Sequence, residues 1–202
     1  MLLVQNLSLL RSDIKIFEDI NISLGSGKII VLKGKNGSGK TSLLRTILYI
    51  LEPSEGNIYW KSKLITKSLN DFYSNLTYIS DKNTSIRQLT ILENIKIWKN
   101  IFISKVNYEE INNILKILKL YDFRDRKVSI LSLGQIKKLE LLRLIIENKK
   151  YWILDEPFTN LDSETIDILS QSFEDHCVNK GSILFSSHHN ITFGRSEELV
   201  LQ

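Results

Sequence analysis

The octet GKNGSGKT, Gly34 to Thr41, constrains this 202-residue chain more than any other stretch. It follows the continuous apolar run IIVLKG and opens KTSLLRTILYIL, whose apolar residues recur at helical spacing. A glycine-rich turn between a buried strand and a helix is the phosphate-binding loop pattern, and every fixed position of it is filled. Its glycines let successive backbone N–H groups converge on phosphate oxygens, while the helix adds the positive end of its dipole. Gly34, Asn36, Gly37, Ser38, Gly39 and Ser42 are the candidate phosphate contacts. Lys40 is placed to neutralise the β and γ phosphates, and Thr41 to offer its hydroxyl to Mg²⁺, which prefers an octahedron of oxygens. The loop implies a nucleotide but no reaction.

YWILDEP, Tyr151 to Pro157, supplies the reaction: an apolar strand ends in two consecutive carboxylates. Successive strand residues point to different sides, so Asp155 can serve the metal while Glu156 orients and deprotonates an attacking water. Between these two motifs lies LSLGQIKKLELLRL, Leu131 to Leu144. Ser132 and Gln135 have the spacing of a capping box that opens a helix. Gly134 in the first turn weakens such a helix by about 0.5–1 kcal/mol relative to alanine, which a backbone approaching an anion closely would justify. A helix from Ser132 to Asn148 is about 25 Å long against about 17 Å for YWILD. Packed antiparallel, its Ser-Gly end overshoots the sheet and faces another molecule's nucleotide.

The segments LLVQNLSLL, INISL and IIVLKG read as strands, and GNIYWKSKLI as a hairpin arm beyond Pro53. LTILENIKIWKNIF and YEEINNILKILKL are helical. After the helix from Ser132 come the strand YWILD, a helix from Ser163 to about Val178, the strand SILFS and a short tail. The order predicts one α/β domain over 1–202, with a mixed sheet whose central strands are parallel and an antiparallel β part at the N-terminus. Residues 1–81 and 139–202 make its α/β core, and residues 82–138 an inserted helical subdomain.

The charge of +4, from 27 basic and 23 acidic residues, is spread along the chain. It fits an anionic ligand or a membrane surface, and the absence of a Lys/Arg stripe with interleaved aromatics argues against nucleic acid. Cys177 stands alone, so disulfide and thiolate-metal frameworks are excluded. The N-terminus lacks a signal-peptide pattern, and no apolar run approaches the ~20 residues of a spanning helix. Any membrane role is therefore expected to come through a partner.

These motifs together resemble the ATP-binding cassette ATPases of membrane transporters, over essentially the whole chain. LSLGQ is similar to that family's Leu-Ser-Gly-Gly-Gln signature, and FTNLD, ending in Asp162, to the loop after its acidic pair. The resemblance implies a P-loop NTPase fold, ATP with Mg²⁺, and two cassettes paired head to tail as a homodimer, so that Ser132, Gly134 and Gln135 close on the partner's ATP. It also implies that His188, in FSSHH, senses the γ-phosphate, with His189 as an adjacent competitor. Two positions depart from the family. Its loop glutamine falls at Lys82, which cannot ligate Mg²⁺ while protonated, with Asn83 as a substitute. Where the family stacks an aromatic on adenine stands Arg11, with Phe17 as the alternative.

WILDEPFTNLD, SIRQLTILEN and the finish ELVLQ are most similar to the ATP-binding subunits of haem exporter complexes for cytochrome c maturation. That resemblance implies integral membrane partner subunits and a peripheral position on the cytoplasmic face of the inner membrane. The rivals are a soluble cassette ATPase acting on ribosomes or DNA, the ATPase of another small-cargo transporter, and a P-loop phosphotransferase. The middle helices lack the Arg-rich lid expected of the last.

Overall fold

The computed structural model describes every residue except 13, 189, 190, 192, 195 and 202. The chain begins with β1 (Leu2–Arg11), β2 (Ile14–Leu24), β3 (Ile29–Lys33) and α1 (Lys40–Ile47). It continues through β4 (Glu55–Trp60), β5 (Lys63–Leu64), α2 (Leu69–Ser74), β6 (Leu76–Ile79), α3 (Ile91–Ile101) and α4 (Tyr108–Ile117). The last part comprises α5 (Leu133–Leu141), α6 (Arg143–Glu147), β7 (Tyr151–Leu154), α7 (Ser163–Val178), β8 (Ser182–Ser186) and β9 (Ser196–Val200).

The expected α/β fold is present, with the two kinds of strand pairing segregated into separate sheets. One sheet, ordered β2-β1-β4-β5, is antiparallel throughout. The other, ordered β6-β7-β8-β3-β9, is parallel throughout. Strands β7 and β8 are buried along their whole length, and β7 reads accordingly as an unbroken apolar run, while β8 carries a serine at each end of its apolar centre. The expected tail is in fact the edge strand β9, paired in parallel with β3 from Ile29↔Ser196 to Lys33↔Val200.

Helices α3, α4 and α5 each open with a complete capping box, made by Thr90 with Glu93, Asn107 with Glu110, and Ser132 with Gln135. The single helix expected from Ser132 to Asn148 is broken at Leu142, whose N–H is shared between the carbonyls of Lys138 (3.3 Å) and Leu139 (3.2 Å). The last turn tightens there, and α6 begins at the next residue, Arg143. A straight 25 Å rod is therefore replaced by α5, about 13 Å long at 1.5 Å per residue, followed by a separate turn and a half.

This broken helix supplies two layers. Leu139, Leu142 and Ile146 join the core of the α3–α4 segment, with Ile91, Ile95, Ile111 and Leu115. Leu141 and Leu144 join the core beneath the parallel sheet. There Phe158, Phe173 and Phe185 form a ring cluster with centroids 5.4–5.6 Å apart. Truncating the central ring, Phe173→Ala, would cost about 3–5 kcal/mol in transfer and cavity terms.

Candidate functional site

Strands β3, β8 and β7 lie side by side in the parallel sheet, and the loops leaving their C-terminal ends converge. From β3 the chain enters the loop carrying Gly34, Asn36, Gly37 and Ser38, turns with the Ser38 N–H donating to the Lys35 carbonyl (3.1 Å), and starts α1 after Gly39. Gly39 has φ of 91°, and a Cβ there would lie 2.9 Å from Cγ2 of Ile16 on β2. Only glycine combines that backbone with that contact. Thr41 and Ser42 occupy the first turn of α1 beside Lys40. Lys40 is 7% exposed, and its Nζ donates to the carbonyls of Gly34 (2.8 Å) and Lys35 (3.2 Å). It also lies 3.7 Å from Oε1 of Glu156.

Asp155 at the end of β7 is fully buried. Its Oδ1 accepts from the Ser186 hydroxyl (2.6 Å), whose oxygen in turn accepts from the Glu156 N–H (2.9 Å), so β8 fixes both acids of β7. Glu156 has φ of 48°, a left-handed conformation uncommon outside glycine. Its Oε2 accepts from the His188 backbone N–H (3.3 Å) and lies 2.8 Å from His188 Nδ1. Lys40, Glu156 and His188, from three separate segments, are thereby brought into one chain of contacts. Behind them, buried Lys137 donates to the Asp155 carbonyl (3.4 Å). Burial pushes its pKa down, partly offset by the carboxylates of Asp155, Glu140 and Glu156.

Oδ2 of Asp155 is buried without a protein partner. An orphan carboxylate oxygen and a hydroxyl such as that of Thr41 are the kind of hard oxygen donors that Mg²⁺ prefers. Among the described residues, no cluster of three or more His, Cys, Asp or Glu side chains could hold a metal, so the remaining ligands of an ion here would be phosphate and water.

The second cradle is built otherwise. Ser132 and Gln135 bond to each other, each side chain accepting from the other's backbone N–H (3.2 and 2.9 Å). Among the described residues, no hydrogen bond joins either of them to the phosphate loop of their own chain. Ser132 is exposed, and Leu133 beside it is 67% exposed. Gly134 has a local reason besides any anion, since a Cβ there would stand 2.5 Å from the Asn160 carbonyl oxygen. Asp162 is engaged within its own chain. It caps α7 through the Thr165 N–H (2.9 Å) and accepts from Lys138 Nζ (2.7 Å), and the bonds from Lys138 and Thr165 hold its carboxyl well below the usual range.

Phe17 must be withdrawn as an adenine stack. It is 5% exposed and packs in the core beneath the antiparallel sheet, opposite Leu9. Arg11 is exposed at the end of β1. The β2 residue that reaches the phosphate loop is Ile16, which the sequence reading missed along with Lys137 and Ser186. Lys82 is exposed, its backbone N–H and carbonyl both bonded to the Ser80 hydroxyl, and Asn83 beside it is exposed as well. His189, named as an alternative to His188, lies outside the described residues. Cys177 is a half-buried residue of α7 whose thiol burial pushes up to about 11, which favours the neutral thiol over the thiolate at neutral pH.

A family model described as ABC transporter matches residues 17–159. The chain is similar to two proteins named cytochrome c biogenesis ATP-binding export protein CcmA. One is from Reclinomonas americana, at 34% identity over 99% of this chain and 90% of that protein. The other is from Dechloromonas aromatica (strain RCB), at 34% identity over the full length of both. Among solved structures, a dimeric ATP-binding cassette in a post-hydrolysis state with ADP and Pi superposes with a TM-score of 0.80, at 21% identity, over 100% of this chain and 94% of that one. Among the described residues, no helix is long and apolar enough to cross a membrane. With its phosphate loop, paired acids and strand-end histidine on one sheet edge, the chain belongs to the ABC transporter family, as an ATP-hydrolysing cassette.

Proposed function

We propose that this chain is the ATPase subunit of a transporter serving cytochrome c biogenesis, with integral membrane partners, acting from the cytoplasmic face of the inner membrane. The observation that carries the catalytic part is the contact chain from Lys40 through Glu156 to His188, set beside the orphan oxygen of buried Asp155. The likeness to proteins named for cytochrome c biogenesis supports the cargo system.

In this reading the backbone N–H groups of residues 34–42 take the phosphates and Lys40 balances their charge. Asp155 and Thr41 would hold Mg²⁺, which when bound offsets charge on the phosphate oxygens. Glu156 orients a water and takes its proton as the water oxygen bonds to the γ-phosphorus and the bond to the bridging β–γ oxygen breaks, leaving ADP and phosphate. His188 holds Oε2 of Glu156 and registers the γ-phosphate. Ser132, Gly134 and Gln135 complete the site of a second copy, in which the same residues return the contact. Residues 82–138 act as the helical subdomain. There a groove of about 270 Å³ lined by Ile86, Trp98, Ile101 and Phe102 adjoins the segment carrying Lys82 and receives the membrane subunit.

The test is recovery of tagged Glu156→Gln protein, with ATP, from detergent-solubilised native membranes, followed by mass spectrometry of what accompanies it. Haem-handling membrane subunits support the proposal. An unrelated permease replaces the cargo, and ribosomal or DNA-repair partners overturn the transporter reading in favour of a soluble cassette.

A further inference from the structure

Glu140 on α5 is 2% exposed, and its carboxylate is spent on a loop far away in sequence. Oε1 accepts from the backbone N–H groups of Thr84 (2.8 Å) and Ser85 (2.7 Å), and Oε2 from the Thr84 hydroxyl (2.7 Å). Arg143, nearly buried, lies 3.7 Å from Oε2 of Glu140 and donates to Thr84 Oγ1 (3.0 Å), while Glu147 takes its other face (2.6 Å). One step further along, the Asn94 side chain binds both the N–H and the carbonyl of Ile86 (2.7 and 3.1 Å). At the leading end of the same segment, Asp81 pairs with Arg45 of α1, the helix that the phosphate loop opens (3.2 Å).

Residues 81–85 are thus strung between two helices, each of which carries at its N-terminus one of the two cradles: Lys40 on α1, Ser132 on α5. Lys82 sits between the anchors, with its side chain exposed. Ser132 and Glu140 are eight residues apart on α5, about 12 Å along one rigid helix. A buried carboxylate that accepts two backbone N–H groups and a hydroxyl, with a guanidinium beside it, fixes a loop more firmly than neutral bonds do. Leaving those donors unpaired is costly.

We propose that Glu140 is a positioning residue that ties the Ser132 helix to the segment carrying Lys82, so that an anion drawn onto Ser132 is felt at Lys82. This rests on the ATPase reading above. Its mechanical element is α5 with residues 81–86, and its only chemistry is the charge-assisted bonding of Thr84 and Ser85.

Amide hydrogen exchange on the full chain, with and without Mg²⁺ and a non-hydrolysable ATP analogue, tests it in wild type, Glu140→Ala, Glu140→Gln and Thr84→Val. In wild type, nucleotide raises protection in residues 131–138 and in residues 81–88 together. Glu140→Ala keeps the first response and loses the second, and its Thr84 and Ser85 amides exchange about tenfold faster. Glu140→Gln, which retains an acceptor oxygen for both N–H groups, restores the second response. Thr84→Val removes the hydroxyl shared by Glu140 and Arg143 and weakens the second response, which carries the test if the alanine variant does not fold. In steady-state turnover, the effects of Lys82→Ala and Glu140→Ala on kcat fall short of multiplying by about threefold or more. A second response as large in Glu140→Ala as in wild type, or effects on kcat that multiply, overturns the tie alone. No nucleotide response in wild type overturns the ATPase reading and the tie with it.

Discussion

His188 Nδ1 stands 2.8 Å from one carboxylate oxygen of Glu156, and Lys40 Nζ stands 3.7 Å from the other. Each oxygen therefore has its own partner, and the two can be perturbed separately. Glu156→Gln keeps the size of the side chain and removes the proton acceptor. Turnover should fall by about 10²–10⁴ while ATP affinity stays within about threefold, and the pair of cassettes should be held closed. Phosphate release, equilibrium nucleotide binding and size-exclusion chromatography with ATP read the three effects. His188→Ala should lower turnover with little change in affinity; unchanged turnover would remove His188 from the site.

Ser132 bonds within its own capping box and to no group of its own phosphate loop among the described residues. Lys40→Ala and Ser132→Arg should each be nearly inactive, yet a mixture should recover up to about a quarter of wild-type activity, since in mixed pairs one site escapes both lesions. Turnover of the mixture as a function of mixing ratio measures this. No recovery, with mixed pairs demonstrated, contradicts a shared site.

Gly134 faces the Asn160 carbonyl so closely that a methyl group would sit at 2.5 Å. Despite alanine's better helix propensity, Gly134→Ala should destabilise the fold by about 1–3 kcal/mol, because the backbone of the 158–162 loop has to retreat. Leu133→Ala, at an exposed position one residue away, should stay within about 0.5 kcal/mol. Urea unfolding of the two variants side by side decides it.

His176 stacks on Trp152 with ring centroids 3.6 Å apart, and its Nε2 lies 3.1 Å from the Lys150 carbonyl. Burial lowers its pKa below the ordinary 6.5, so the unfolded chain binds the proton more readily than the folded one. Stability from this site is complete above pH 6.5 and is lost as the pH falls from there towards the folded value. His176→Phe keeps the stack and removes the proton site. Its urea midpoint should drop less between pH 7 and pH 5 than that of wild type, and parallel profiles would refute the linkage.

The phosphate loop and the acids of β7 were legible in the sequence because each is a short run whose chemistry needs those residues at that spacing. Other features depend on partners remote in the chain. Phe17 and Ile16 are adjacent apolar residues on β2, and only the register against β1, irregular between Leu7 and Leu10, decides which is buried and which reaches Gly39. Gly134 read as a place for an anion because Asn160, the group that fills the space, is brought there by folding alone. The break at Leu142 has no glycine or proline to announce it; it falls where neighbouring leucines turn to different cores, Leu141 and Leu144 to one and Leu142 to the other. Nothing in the helical spacing of Lys137 and Glu140 marks them as buried, and only the packing of α5 encloses them.

The three consecutive capping boxes bear on how fast different parts of this chain reach their final form. Each is closed by residues three apart, so α3, α4 and α5 can start without waiting for distant contacts. The parallel sheet has no such shortcut, because Ile29 of β3 must find Ile183 of β8 across most of the chain. Closing so long a loop is slow. On loop-closure entropy alone, the helical segment is expected to form ahead of the sheet, and the loops that meet around Glu156 to be placed only once β3, β7 and β8 have paired.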